Sequence, residues 1–145
     1  MLEMHALVKP PSDHLRLRTR DRLRLGREIL GTYILVRWWL LRRTFPETVH
    51  AIENADVDES ADGFPPQVGL RLGTAVQKML GVLPFDSRCL VRSLVLKHML
   101  AKRGVPSSLV IGIRNEPTFI AHAWVERDGV PLLPTDSSFH RLTEF

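Results

Sequence analysis

The sequence is poor in the residues that hold small folds together by covalent or metal bonds. Its 145 residues include one cysteine, Cys89, so no internal disulfide can form and no thiolate cluster can hold zinc. The six histidines lie far apart with no HExxH-type pair, so neither a metal nor another cofactor is expected. Met1-Leu2-Glu3-Met4-His5 has no charged stretch leading into an apolar run, which excludes a signal peptide. The longest apolar stretch, Ile29 to Leu41, contains Arg37 and is too short to span a bilayer comfortably. A lone thiol without an export signal fits a reducing cytoplasm, and that is the expected location.

What is present describes a globular protein. Hydrophobic residues make up 44 % and charged residues 25 %, and the length matches one domain able to bury a core of its own. The net charge of +4 is unevenly spread. Residues 1–43 carry ten Lys/Arg against four Asp/Glu, whereas residues 44–70 carry six acids and no Lys or Arg. No aromatic platform or recognition-helix motif accompanies the basic stretch, so nucleic acid is not an expected partner. A solvated helical face explains it more simply.

Punctuation along the chain predicts an α+β architecture. Pro10-Pro11 marks an extended lead-in, with Ser12 or Asp13 as candidate caps. From about Leu15 to Arg43 the pattern is helical, with Leu23, Leu30, Ile34, Trp38 and Leu41 recurring at near-helical spacing and Gly26 and Gly31 as weak points. A short helix is predicted for Phe45–Ile52, a loop for Asn54–Pro66 and a helix for Val68–Leu80, followed by a break at Gly81-Val82-Leu83-Pro84. Asp86 or Ser87 can cap a helix from Arg88 to Arg103, with Leu90, Leu94, Val95 and Met99 as its apolar face and Gly104 at its left-handed end. Strands are predicted at Ser108–Arg114, Phe119–Glu126 and Val130–Leu133, with Asp128-Gly129 as the hairpin turn. One domain, 1–145, is expected: a helical part, 1–80, then a catalytic helix and small antiparallel sheet, 81–145.

Three features coincide in the second half. Cys89 lies at a predicted helix start, where backbone N–H groups favour a thiolate and can hold an oxyanion. His122 lies on a strand 33 residues later, on one face with Trp124 and Glu126. The next strand leads towards Asp136, placed to fix an imidazole tautomer. Each alone is weak, since a lone cysteine is most often a core residue. In this order they give the layout of papain-like and transglutaminase-like enzymes. The Trp38-Trp39 pair reads as packing or interface rather than as a cofactor platform, and Trp38, Trp39 and Leu40 suit a protein partner.

The residues also resemble a particular family. Ser87-Arg88-Cys89-Leu90-Val91-Arg92-Ser93-Leu94, then Arg103-Gly104-Val105-Pro106, then Ala121-His122-Ala123-Trp124-Val125-Glu126 are similar in order and spacing to the lasso-peptide leader peptidases. The resemblance spans about Pro84 to Gly129. It implies a transglutaminase-like fold and a Cys-His-Asp cysteine peptidase that cuts the leader from a ribosomally made precursor through a thioester. Cys89, His122 and Asp136 would be catalytic, with Arg92 and Trp124 binding substrate. The resemblance is to the split form, in which a separate RRE-type leader-binding protein presents the precursor and an ATP-dependent lasso cyclase acts afterwards. Asp136 is slightly farther from its histidine than the family's acid, with Glu126 and Asp128 as weaker substitutes and a bulge near Pro131 or Pro134 as one way to restore the geometry. Another transglutaminase-like amidase or acyl-transfer enzyme, or a non-catalytic docking protein, would fit the same residues.

Overall fold

The computed structural model describes residues 19–55, 66–82, 89–135 and 137–145. The expected lead-in and caps at 10–13, most of the 54–66 loop, Leu83-Pro84, the caps Asp86 and Ser87, and Asp136 lie outside the described residues. Four helices precede a four-stranded sheet: α1 (Thr19–Arg42), α2 (Phe45–Glu53), α3 (Pro66–Gly81), α4 (Cys89–Lys102), β1 (Ser108–Arg114), β2 (Ile120–Arg127), β3 (Val130–Pro131) and β4 (His140–Glu144). The sheet is antiparallel in the order β3-β2-β1-β4. The expected α+β class, with a helix against a small antiparallel sheet, is what the chain adopts.

α4 is the centre of the molecule. α1, α2 and α3 pack on it from one side, and β1 and β2 from the other. Val91 and every residue from Ser93 to Leu100 are buried, so this helix is covered nearly all round rather than on the one apolar face its sequence suggests. That placement draws Lys97 and His98 into the interior. Lys97 Nζ donates to the carbonyls of Ser107 (2.8 Å) and Phe145 (3.3 Å). Burial pushes its pKa down, against the pull of Glu53 at 3.7 Å. At the far end of α4, Gly104 adopts the left-handed conformation (φ 66°) expected of it. Arg103 there grips Glu28 of α1 with two hydrogen bonds of 2.7 and 2.8 Å.

α1 runs unbroken through Gly26 and Gly31, and its periodicity has the opposite meaning from a core stripe. Ile29, Thr32 and Val36 face inward, while Leu23, Leu30, Ile34, Trp38 and Leu41 are all exposed, Leu41 at 78 %. Trp39 meets the buried His98 edge-on at 5.6 Å and Leu40 packs on the core, so of the three residues expected at an interface only Trp38 faces outward. α2 starts at Thr44, whose N–H and hydroxyl both donate to the Glu47 carboxylate (2.7 and 2.9 Å).

The β1–β2 hairpin pairs Gly112 with His122 and Val110 with Trp124. The following turn carries Asp128 (φ 52°) and Gly129 (φ 75°), the left-handed pair that a tight two-residue hairpin requires. β3 is only two residues long, but Leu132 N–H still donates to Val125 O (2.8 Å) and carries the chain onward along β2. β4 was not foreseen from the sequence. It returns along the outer edge of β1, with a register shift between Ile111 and Gly112.

Candidate active site

Cys89 is the first residue of α4. The first N–H groups of a helix have no partner inside it, and the helix dipole adds positive potential there. No acidic residue occupies this first turn. The half-buried thiol therefore stands at the positive end of the helix dipole, in a first turn without acidic residues.

The next turn of the helix locks it to the sheet. Ser93, four residues on, is fully buried, and its hydroxyl donates to the Ala123 carbonyl at 3.1 Å. Ala123 adjoins His122 on β2, so this one bond ties the helix bearing the thiol to the strand bearing the imidazole.

Cys89 and His122 line one cleft of about 90 Å³, with Gln77, Arg92, Ala123, Leu133 and Pro134. α3 contributes Gln77, which accepts a hydrogen bond from Arg92 at 3.3 Å. The segment after β3 supplies the remaining wall. It reaches the cleft because α3 presents Gly73 to it: a Cβ at this position would collide with the Leu132 carbonyl.

The imidazole is held on three sides. Its Nε2 lies 2.9 Å from the Pro134 carbonyl oxygen, an acceptor, so in the neutral ring Nε2 carries the hydrogen and Nδ1 keeps the lone pair. The rings of Trp124 (5.8 Å) and Phe139 (5.0 Å) contact it, and they contact each other at 6.4 Å. Arg114 lies over the Phe139 ring at 5.0 Å.

Of the residues expected from sequence, Cys89, His122 and Arg92 therefore share the cleft. Trp124, expected to bind substrate, does not line it. It is 3 % exposed, and its indole N–H donates to Glu126 at 2.7 Å. The other Glu126 oxygen accepts from Arg141 at 3.0 Å, so Glu126 serves the indole rather than the imidazole. Asp128 is 92 % exposed in the hairpin turn. Sequence reasoning missed Gln77, Leu133, Phe139 and the Pro134 carbonyl. A backbone acceptor leaves no trace in residue identity, and Phe139 precedes a strand that gave no pattern. Among the described residues no group of three His, Cys, Asp or Glu could hold a metal ion, and no helix is long and apolar enough to cross a membrane.

A thiol at a helix start and a histidine on an antiparallel strand thus line one cleft. The family model of the transglutaminase-like superfamily matches residues 32–144, and the chain belongs to that superfamily. Within it, the chain is similar to the microcin J25-processing protein McjB of Escherichia coli, with 47 % identity over 45 residues. That match covers 31 % of this chain and 21 % of the relative's length. No solved structure matches the chain.

Proposed function

We propose that the protein is a cysteine peptidase that removes the leader from a ribosomally made lasso-peptide precursor. The observation that carries this reading is the shared cleft of Cys89 and His122, with the imidazole Nε2 against the Pro134 carbonyl and Nδ1 left as the basic nitrogen. The similarity to a protein whose name states that it processes microcin J25 supports the same substrate class.

In this mechanism His122 Nδ1 takes the Cys89 proton as the sulfur attacks the carbonyl carbon at the leader–core junction. The oxyanion faces the backbone N–H groups at the start of α4. The imidazolium protonates the leaving amine, which departs as the new N-terminus of the core peptide. Water then adds to the leader thioester with His122 as base, and the thiol is regenerated. Asp136 is proposed to support the imidazole together with the Pro134 carbonyl, and Arg92 to bind substrate from the cleft wall. No metal or organic cofactor takes part. Trp124 serves the site from behind rather than touching substrate.

Delivery is proposed to come from a separate leader-binding protein. Leu23, Ile34, Trp38 and Leu41 on the outer side of α1 support this, since they form an apolar line among exposed arginines that suits an acidic protein surface. The reaction is proposed to take place in the cytoplasm, ahead of the ATP-dependent cyclase that would use the freed amine.

The test is precursor cleavage followed by mass spectrometry, with folding checked by circular dichroism. Cys89→Ala should abolish cleavage and stay folded, and Asp136→Asn should slow turnover far more than Asp128→Asn. Cleavage by folded Cys89→Ala would remove the peptidase assignment.

A further inference from the structure

We infer that Glu126 is a positioning residue for the His122 imidazole, acting through Trp124. The inference rests on the peptidase reading only in calling that imidazole the base.

Glu126 is 7 % exposed, and a carboxylate this deep needs partners for its charge. It has them in Arg141, which stands 3.0 Å from one oxygen, and the Trp124 indole N–H, 2.7 Å from the other. Neither oxygen is hydrogen-bonded to His122. Glu126, Trp124 and His122 alternate along β2 and project to one side of it. The carboxylate thus holds the indole, and the indole lies against the imidazole with the two planes 24° apart.

The far edge of the indole is fixed as well. Gly112 is the cross-strand partner of His122. A Cβ on Gly112 would lie 2.8 and 2.9 Å from Trp124 Cη2 and Cζ3, and 3.0 Å from the His140 carbonyl. The indole is therefore pinned at its N–H by Glu126 and stopped at its opposite edge by the β1 backbone. Two torsions orient a tryptophan side chain, and these two contacts determine both. Phe139 completes a triangle of three rings, with Arg114 above it, and Arg92 and Cys89 of α4 line the same cleft as the imidazole. The imidazole plane is set by this triangle, and the plane decides whether Nε2 meets the Pro134 carbonyl and leaves Nδ1 for the thiol. A base misaligned in the resting site loses both functions together.

The test needs no precursor. ¹⁵N–¹H correlation spectra of the full chain at pH 8 report the His122 tautomer directly. Wild type should show the Nε2–H form. Glu126→Gln, which keeps an acceptor for the indole, should stay close to it. Glu126→Leu and Trp124→Phe should populate the Nδ1–H form. Iodoacetamide alkylation of Cys89 should fall about tenfold at pH 6.5 in the latter two, because a misturned imidazole no longer takes the thiol proton. It should be unchanged at pH 10, where any thiol is ionised. Folded Glu126→Leu with the wild-type tautomer and the wild-type alkylation ratio would overturn the inference. If Glu126→Leu does not fold, Trp124→Phe carries the same expectation. Should wild-type Cys89 alkylate at pH 6.5 like an ordinary thiol while the tautomer still responds to Trp124→Phe, the positioning role stands and the peptidase reading fails.

Discussion

Ser93→Ala removes one oxygen atom and tests whether the helix bearing Cys89 and the strand bearing His122 are coupled. The hydroxyl is fully buried and donates to the Ala123 carbonyl at 3.1 Å. A buried hydrogen bond contributes about 1 kcal/mol net, and a carbonyl stripped of a partner costs roughly 1 kcal/mol more. The alanine fits without strain and has higher helix propensity, which returns about 0.5 kcal/mol. The expected loss is therefore about 1.5 kcal/mol, or a Tm lower by roughly 5 °C for a chain of this size. Activity should fall by more than that loss alone suggests, because near 25 °C the variant is still folded. A helix no longer fastened beside Ala123 lets the Cys89–His122 geometry spread, and small misplacements cost rate steeply. The assays are thermal unfolding by circular dichroism and single-turnover precursor cleavage at 25 °C. A Tm within 1 °C of wild type together with an unchanged rate would show that the hydrogen bond joins nothing that matters.

Two further expectations concern other parts of the site and core. Gly73→Ala should lower both Tm and cleavage, because its Cβ would displace the Leu132 carbonyl and, with it, the Pro134 acceptor two residues on; Gly31→Ala, inside α1 with open space around it, should leave cleavage unaffected and raise Tm through its higher helix propensity. Burial, reinforced by Lys102 and opposed by Glu28, holds the His98 pKa below its usual value of 6.5. The unfolded chain then takes up the proton first, so His98 contributes full stability above pH 6.5 and that contribution is lost as pH falls below it. His98→Phe, which retains the edge-on contact with Trp39 and removes an unpartnered Nδ1, should show a flatter unfolding free energy between pH 7.5 and 5.5 in urea titrations than wild type does.

The hairpin and α4 were legible because their signals are local. Gly104 and Asp128-Gly129 fix backbone conformations that few other residues adopt, so the helix end and the turn fall where those residues are. The thiol and the imidazole were legible for the same reason, each sitting at a recognisable position of its own element. α1 misled because periodicity reports an apolar stripe without saying which way it points. On the opposite face of the same helix, Ile29, Thr32 and Val36 are the residues that are buried. β4 escaped notice because its five residues, His140–Glu144, are all exposed and have no alternation to read. The Pro134 carbonyl and the Gly73 contact belong to tertiary structure alone. Glu126 shows the limit most clearly: its alternation with His122 is plain in the sequence, but only packing reveals that the carboxylate serves Trp124.

The burial of α4 on nearly every side divides the labour of change within the cleft. The helix that carries Cys89 also holds up the core, so a substitution within it alters stability and the cleft at once. The opposite wall is built from Gln77 on α3 and from Leu133 and Pro134 after β3. Leu133 belongs to the core, but Gln77 and Pro134 are not buried and can vary at lower structural cost. Descendants of this fold whose clefts come to differ should therefore accumulate their differences at those two positions, over an almost invariant α4.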